Sequence, residues 1–95
     1  MIVEEKKDLK KGRVLVDFWA PWCGPCKVVK PTVEAFAEKQ DRVNVYFCNV
    51  DEDPKMAQAF AIRSIPTLVY MIDGEVVNRQ TGGGTPAQLE EFTKG

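Results

Sequence analysis

Four things are scarce in this 95-residue sequence: histidine, of which there is none; cysteine, of which there are three; net charge, which is -1; and long apolar runs. Each shortage closes off a class of function. A structural zinc site takes four ligands, usually Cys or His, so one copy of this chain cannot assemble one without carboxylates. Thirteen basic residues against fourteen acidic ones leave no electrostatic footprint for nucleic acid or an anionic membrane. The longest uncharged apolar run, Thr67 to Ile72, falls far short of the roughly 20 residues a membrane helix needs. Met1-Ile2-Val3 runs straight into charge, so no signal-peptide pattern is seen and the chain reads as intracellular and cytoplasmic. An odd cysteine count does not make a disulfide framework of the secreted kind, and in a reducing compartment a close pair reads as catalytic or metal-binding.

What is present is ordinary globular composition, 44% apolar and 28% charged, in a length that supports a single core. Residues 1–95 are therefore expected to form one domain. Val14 to Ala20 is short, branched and aromatic, and follows Gly12, which predicts a buried strand. From Pro25 to about Gln40, Val28, Val29, Thr32, Val33, Phe36 and Ala37 recur at helical spacing, with Lys27, Lys30, Glu34, Glu38 and Lys39 expected largely on the outer side. Pro31 falls inside that helix and is expected to kink it. Val43 to Val50 predicts a strand parallel to the first, and Asp53-Pro54 opens a short helix through Phe60. Thr67 to Ile72 and Glu75 to Gln80 predict a hairpin across Asp73-Gly74. Thr85-Pro86-Ala87-Gln88 combines a capping box with a helix-opening proline, and Gly82-Gly83-Gly84 before it reads as a flexible loop. These elements make an α/β fold, a mixed sheet with helices on both faces.

The chemistry concentrates in Trp22-Cys23-Gly24-Pro25-Cys26, placed where the first strand ends and the long helix begins. Two thiols at this spacing serve metal binding, a structural disulfide or thiol-disulfide exchange. Ligand counting disfavours zinc, although an iron-sulfur cluster shared by two copies is open in principle. A structural disulfide closing so short a loop stabilises by only about 2 kcal/mol. Exchange fits the position best. A helix start offers unpaired N–H groups and a favourable dipole to Cys23, favouring its thiolate, and Cys26 lies one turn further in, within reach as the resolving thiol. Neither Gly24 nor Pro25 adds a cation to stabilise the dithiol, which points to a reductant. Asp17, among Val16, Phe18 and Trp19, is expected to be desolvated, with a raised pKa, and able to exchange a proton with Cys26. The competing reading is an edge-strand acid that reaches solvent.

Phe18-Trp19-Ala20-Pro21-Trp22-Cys23-Gly24-Pro25-Cys26-Lys27 closely resembles the active-site segment of the thioredoxin family, and Ser64-Ile65-Pro66-Thr67 resembles the segment that faces it. The resemblance runs from about Val14 to Phe92. It implies the thioredoxin fold, with a central sheet of four to five strands, and a protein-disulfide reductase active on disulfide-containing target proteins. Re-reduction by a separate thioredoxin reductase, a monomeric state and no bound cofactor go with it. Residue by residue, it makes Cys23 the attacking thiol, Cys26 the buried resolving thiol and Asp17 the proton-transfer group. Pro66 becomes a cis proline beside the disulfide, Ile65 a donor of backbone groups to an extended substrate, and Trp22, Ile65 and Gly82 the apolar surface that receives partners.

The sequence departs from the family pattern at three points. The family often carries a lysine near the buried aspartate where this chain has Phe47, which should make Asp17 harder to ionise. The segment before Val14 is short, so the first strand and helix are expected to be abbreviated or partly absent. The triple glycine could loosen partner recognition. Cys48 reads as a small core residue, with a regulatory thiol as the lesser alternative. Trp19 is either core or a wall shielding the site, while Met56, Phe60, Leu89 and Phe92 read as core. A different class of function, an interaction subunit indifferent to redox state, would survive replacement of Cys26 by Ser. Oxidase or isomerase activity is disfavoured by Gly24-Pro25.

Overall fold

The computed structural model describes residues 1–95 and places the apolar run after Gly12 in strand β1 (Arg13–Trp19). Val14, Leu15, Val16 and Phe18 are fully buried, with Asp17 among them. A strand apolar on both sides needs cover on both faces. β1 has it because it is an interior strand, with β2 (Asn44–Asn49) parallel on one side and β3 (Thr67–Ile72) antiparallel on the other. β4 (Glu75–Thr81) pairs with β3 at the far edge and is exposed along nearly its whole length. The hairpin between them turns through Asp73 and Gly74, both at positive φ, as a two-residue turn of this hand requires.

Helices α1 (Gly24–Lys39) and α3 (Pro86–Phe92) cover one face of the sheet, where Val33, Phe36, Leu89 and Phe92 meet Leu15, Leu68 and Tyr70. Helix α2 (Pro54–Ala59) covers the other, packing Met56 with Val16, Phe18, Cys48 and Val69, and with Phe60 half-buried against them. Side-chain caps set both short helices. Asp53 accepts the N–H of Met56 at 3.1 Å, and Thr85 and Gln88 each accept the other's backbone N–H, at 3.2 and 2.9 Å. No helix is long and apolar enough to cross a membrane.

Two sequence expectations change here. Val28, expected on the inner side of α1, is 75% exposed. At about 100° per residue it lies about 200° around the helix from Cys26, whereas Lys30 lies only about 40° away, and Lys30 is half-buried. The buried stripe is therefore Cys26, Val33, Phe36 and Ala37, with Lys30 at its margin rather than on the outer side. The start of the chain is abbreviated as expected. Its strand is a single parallel bridge between Ile2 and Val45, and its helix is a 3₁₀ turn over Lys6–Lys10 that buries only Leu9.

Candidate active site

The chain leaves β1 at Trp19, turns through Ala20 to Trp22, and enters α1 with Cys23 as its capping residue. Cys23 and Cys26 are joined as a disulfide, with Cα atoms 5.3 Å apart, and both are buried. The N–H of Cys26 donates to Cys23 Sγ at 3.2 Å. That sulfur thus occupies the place a serine or aspartate oxygen takes in an ordinary helix cap, facing one of the unpaired N–H groups of the first turn. After reduction the same donor and the dipole of a 16-residue helix favour negative charge on Cys23. No equivalent donor serves Cys26, one turn inside. The third thiol, Cys48, is unpaired and lies on the opposite face of the sheet, in the core beneath α2. Burial pushes it up to about 11, so at neutral pH it is a core group and not a nucleophile.

Facing the disulfide, the Ile65–Pro66 peptide bond is cis, and the Ile65 carbonyl oxygen lies 3.9 Å from Cys23 Sγ. The N–H of Gly82 donates to the Pro66 carbonyl at 2.8 Å, which brings Gly82 alongside. Trp22 is 69% exposed, yet its indole N–H is fixed to Asp51 Oδ2 at 2.9 Å. It forms one wall of a groove of about 500 Å³ that continues along Val50, Pro54, Ala57, Ile62 and Ile65. The sequence reading did not find Asp51. Its signal was available, because parallel β1 and β2 end on the same edge of the sheet and Asp51 stands two residues beyond β2. Gly83 also reads differently in the fold. A Cβ there would come within 2.7 Å of a Val29 methyl, so it marks close packing of the loop on α1 rather than a loose spacer.

Asp17 is 1% exposed and its Oδ1 has no hydrogen-bond partner. Its interior position excludes the edge-strand reading. Burial pushes its carboxyl up to about 7, with the charge of Lys30 drawing it partly back. Asp17 stands beside Phe47 on β2 and Leu68 on β3, and Leu15, Asp17 and Trp19 alternate onto the face that carries α1. Lys30 Nζ sits 5.1 Å from the centre of the Trp19 ring and 5.6 Å from that of Phe47. Trp19 itself packs against Ala20, Cys23 and Cys26, so it serves as a wall of the site.

Comparison with known proteins agrees with this geometry. The thioredoxin family model matches residues 3–95. Thioredoxin 1 of Synechococcus elongatus is 51% identical over 70 residues, which is 73% of this chain and 65% of that protein, slightly under two thirds of its length. Bacillus subtilis thioredoxin is 40% identical over 86 residues, covering 90% of this chain and 83% of that one. Among solved structures, a mutant thioredoxin from Halobacterium salinarum superposes with a TM-score of 0.82 at 36% identity, covering 99% of this chain and 90% of that one. The oxidized form of mitochondrial thioredoxin 3 from Saccharomyces cerevisiae gives 0.84 at 28% identity, covering 97% and 92%.

Proposed function

The chain belongs to the thioredoxin family, and on that footing we propose that it is a thiol-disulfide oxidoreductase that reduces disulfides in target proteins. The observation that carries this reading is the asymmetric pair, a helix-capping Cys23 whose sulfur receives the Cys26 N–H, bonded to Cys26 one turn inside. In the reduced protein the Cys23 thiolate attacks one sulfur of the target disulfide. A mixed disulfide forms and the first target sulfur leaves as a thiolate, which takes up a proton. Cys26 then loses its proton to Asp17 and attacks Cys23 Sγ, which expels the second target thiolate and leaves the Cys23–Cys26 disulfide. Two electrons pass to the target, and a separate reductase restores the dithiol.

Asp17 suits proton transfer because a carboxyl held at about 7 exchanges protons in either direction at neutral pH. Trp22, Gly24 and Pro25 shape the attacking turn, while Ile65, Pro66 and Gly82 receive an extended target segment along the groove. Residues 1–95 act as one domain, and the protein works as a cytoplasmic monomer in cell redox homeostasis. A Cys26→Ser variant tests the scheme against a disulfide-linked model peptide. It should accumulate a mixed disulfide at Cys23, seen as one adduct by intact mass, where the parent turns over. A Cys26→Ser protein that reduces the peptide at the parent rate refutes the assignment.

A further inference from the structure

Ionising Asp17 places a negative charge on a strand walled by apolar side chains, so a proton-transfer role, which this inference takes from the reading above, needs something to offset that charge. Neighbours in the sheet supply nothing, since Phe47 on β2 and Leu68 on β3 are uncharged. On the helical side, α3 turns Glu90 and Glu91 to solvent, and α1 contributes Cys26, held in the disulfide, Lys30 and, one turn further along, half-buried Glu34, whose negative charge gives Asp17 no offset. Lys30 follows Cys26 by four residues, one turn along the same side of α1.

Its ammonium group rests over two rings that border Asp17. One is Trp19, two residues on along β1 and on the same face; the other is Phe47, the register partner of Asp17 across the parallel ladder. Both rings attract a cation through their faces, which keeps a flexible lysine at this spot. Lys30 is half-buried as a whole, and a lysine so placed lays its stem along apolar surface and keeps its charge toward water.

We propose that Lys30 is the positioning residue that makes Asp17 ionisable, a cation delivered from α1 onto the Trp19 and Phe47 rings and acting through space on the carboxyl. The proton that Cys26 gives up is accepted by Asp17 as carboxylate, and Lys30 raises the population of that carboxylate at a given pH.

The test is a titration of the Asp17 side-chain carbon by NMR in the oxidised protein. The window near neutrality is clear, because the chain has no histidine and bonded thiols do not titrate. Lys30→Met keeps the stem on the rings and removes the charge; it should move the Asp17 midpoint up by about 0.5 unit or more, at least about a threefold fall in the carboxylate-to-acid ratio at fixed pH. Lys30→Arg should leave the midpoint near the parent value, and added salt should shrink the difference between Met and parent. In single-turnover reduction of a disulfide-linked peptide, the pH profile should shift by the same amount. An unmoved midpoint in Lys30→Met overturns the proposal. Failure of the proton-transfer reading is a separate result: Asp17→Asn at the parent rate removes that role and leaves the Lys30 effect on the titration intact.

Discussion

A buried carboxyl that titrates near neutrality makes folding stability depend on pH in a definite direction, and Asp17→Asn isolates that dependence. Unfolded, the carboxyl has its ordinary value of 3.8; folded, burial raises it to about 7. Between those values the native state binds more protons than the unfolded state, so stability falls as pH rises through the window and levels off above the folded value. About three pH units at about 1.4 kcal/mol each amount to roughly 4 kcal/mol by pH 8. That is a large part of the roughly 5–15 kcal/mol typical of a small domain. Asparagine keeps the shape and the buried oxygen and loses the charge. Urea unfolding of oxidised parent and variant at pH 5, 6, 7 and 8 measures the difference, and titrations common to both proteins cancel in it. Asp17→Asn should gain on the parent by about 1.4 kcal/mol per unit up to pH 7 and little beyond. A gap that is constant from pH 5 to 8 refutes the claim that Asp17 folds with a raised pKa.

Two further predictions follow from packing. Gly83→Ala should destabilise by about 1–3 kcal/mol, because the new methyl meets the Val29 side chain at 2.7 Å, and Val29→Ala in the same protein should recover part of the loss in urea unfolding. Purely additive effects would show that the loop moves aside. In the reduced native protein at pH 8, iodoacetamide should label the helix-capping Cys23 first, while Cys48, buried and held at about 11, should label only in denaturant; a Cys48 adduct formed as fast as the Cys23 adduct would contradict its place in the core.

Where the sequence was legible, it was because one local rule acted without competition. The apolar run ending in Trp19, the capping box at Thr85 and Gln88 and the turn at Asp73-Gly74 each stand in the structure within a residue or two of the positions read from pattern. Pattern misleads where two elements compete for one position. Valine is apolar enough to be assigned to the core, yet angular position on α1 leaves Val28 in solvent. Lysine is charged enough to be assigned to solvent, yet Lys30 reaches back over two rings that only the packed sheet brings together. Gly83 looked like slack because the Val29 side chain that it accommodates is 54 residues away along the chain. The cis bond before Pro66 has no signal in its own residues, since only about 5–6% of X-Pro bonds are cis; only the family resemblance implies it.

The parts of the site come from four separate stretches of chain, and the sheet register is what assembles them. Trp19 pairs with Asn49, Phe18 with Thr67, and Thr67 with Thr81. The disulfide turn after β1, the Val50-Asp51 corner after β2, the Ile65-Pro66 segment before β3 and Gly82 after β4 therefore open onto a single edge. The same register decides which face Asp17 takes. A slip of one residue in β1 would turn Asp17 toward α2 and bring Val16 or Phe18 beneath α1, separating the carboxyl from Lys30. The apolar residues that flank Asp17 on β1 thus do two jobs with one interaction. Their burial on the α2 face fixes the strand against slipping, and by fixing it they hold a costly acid on the α1 face, where the charge of Lys30 acts on it.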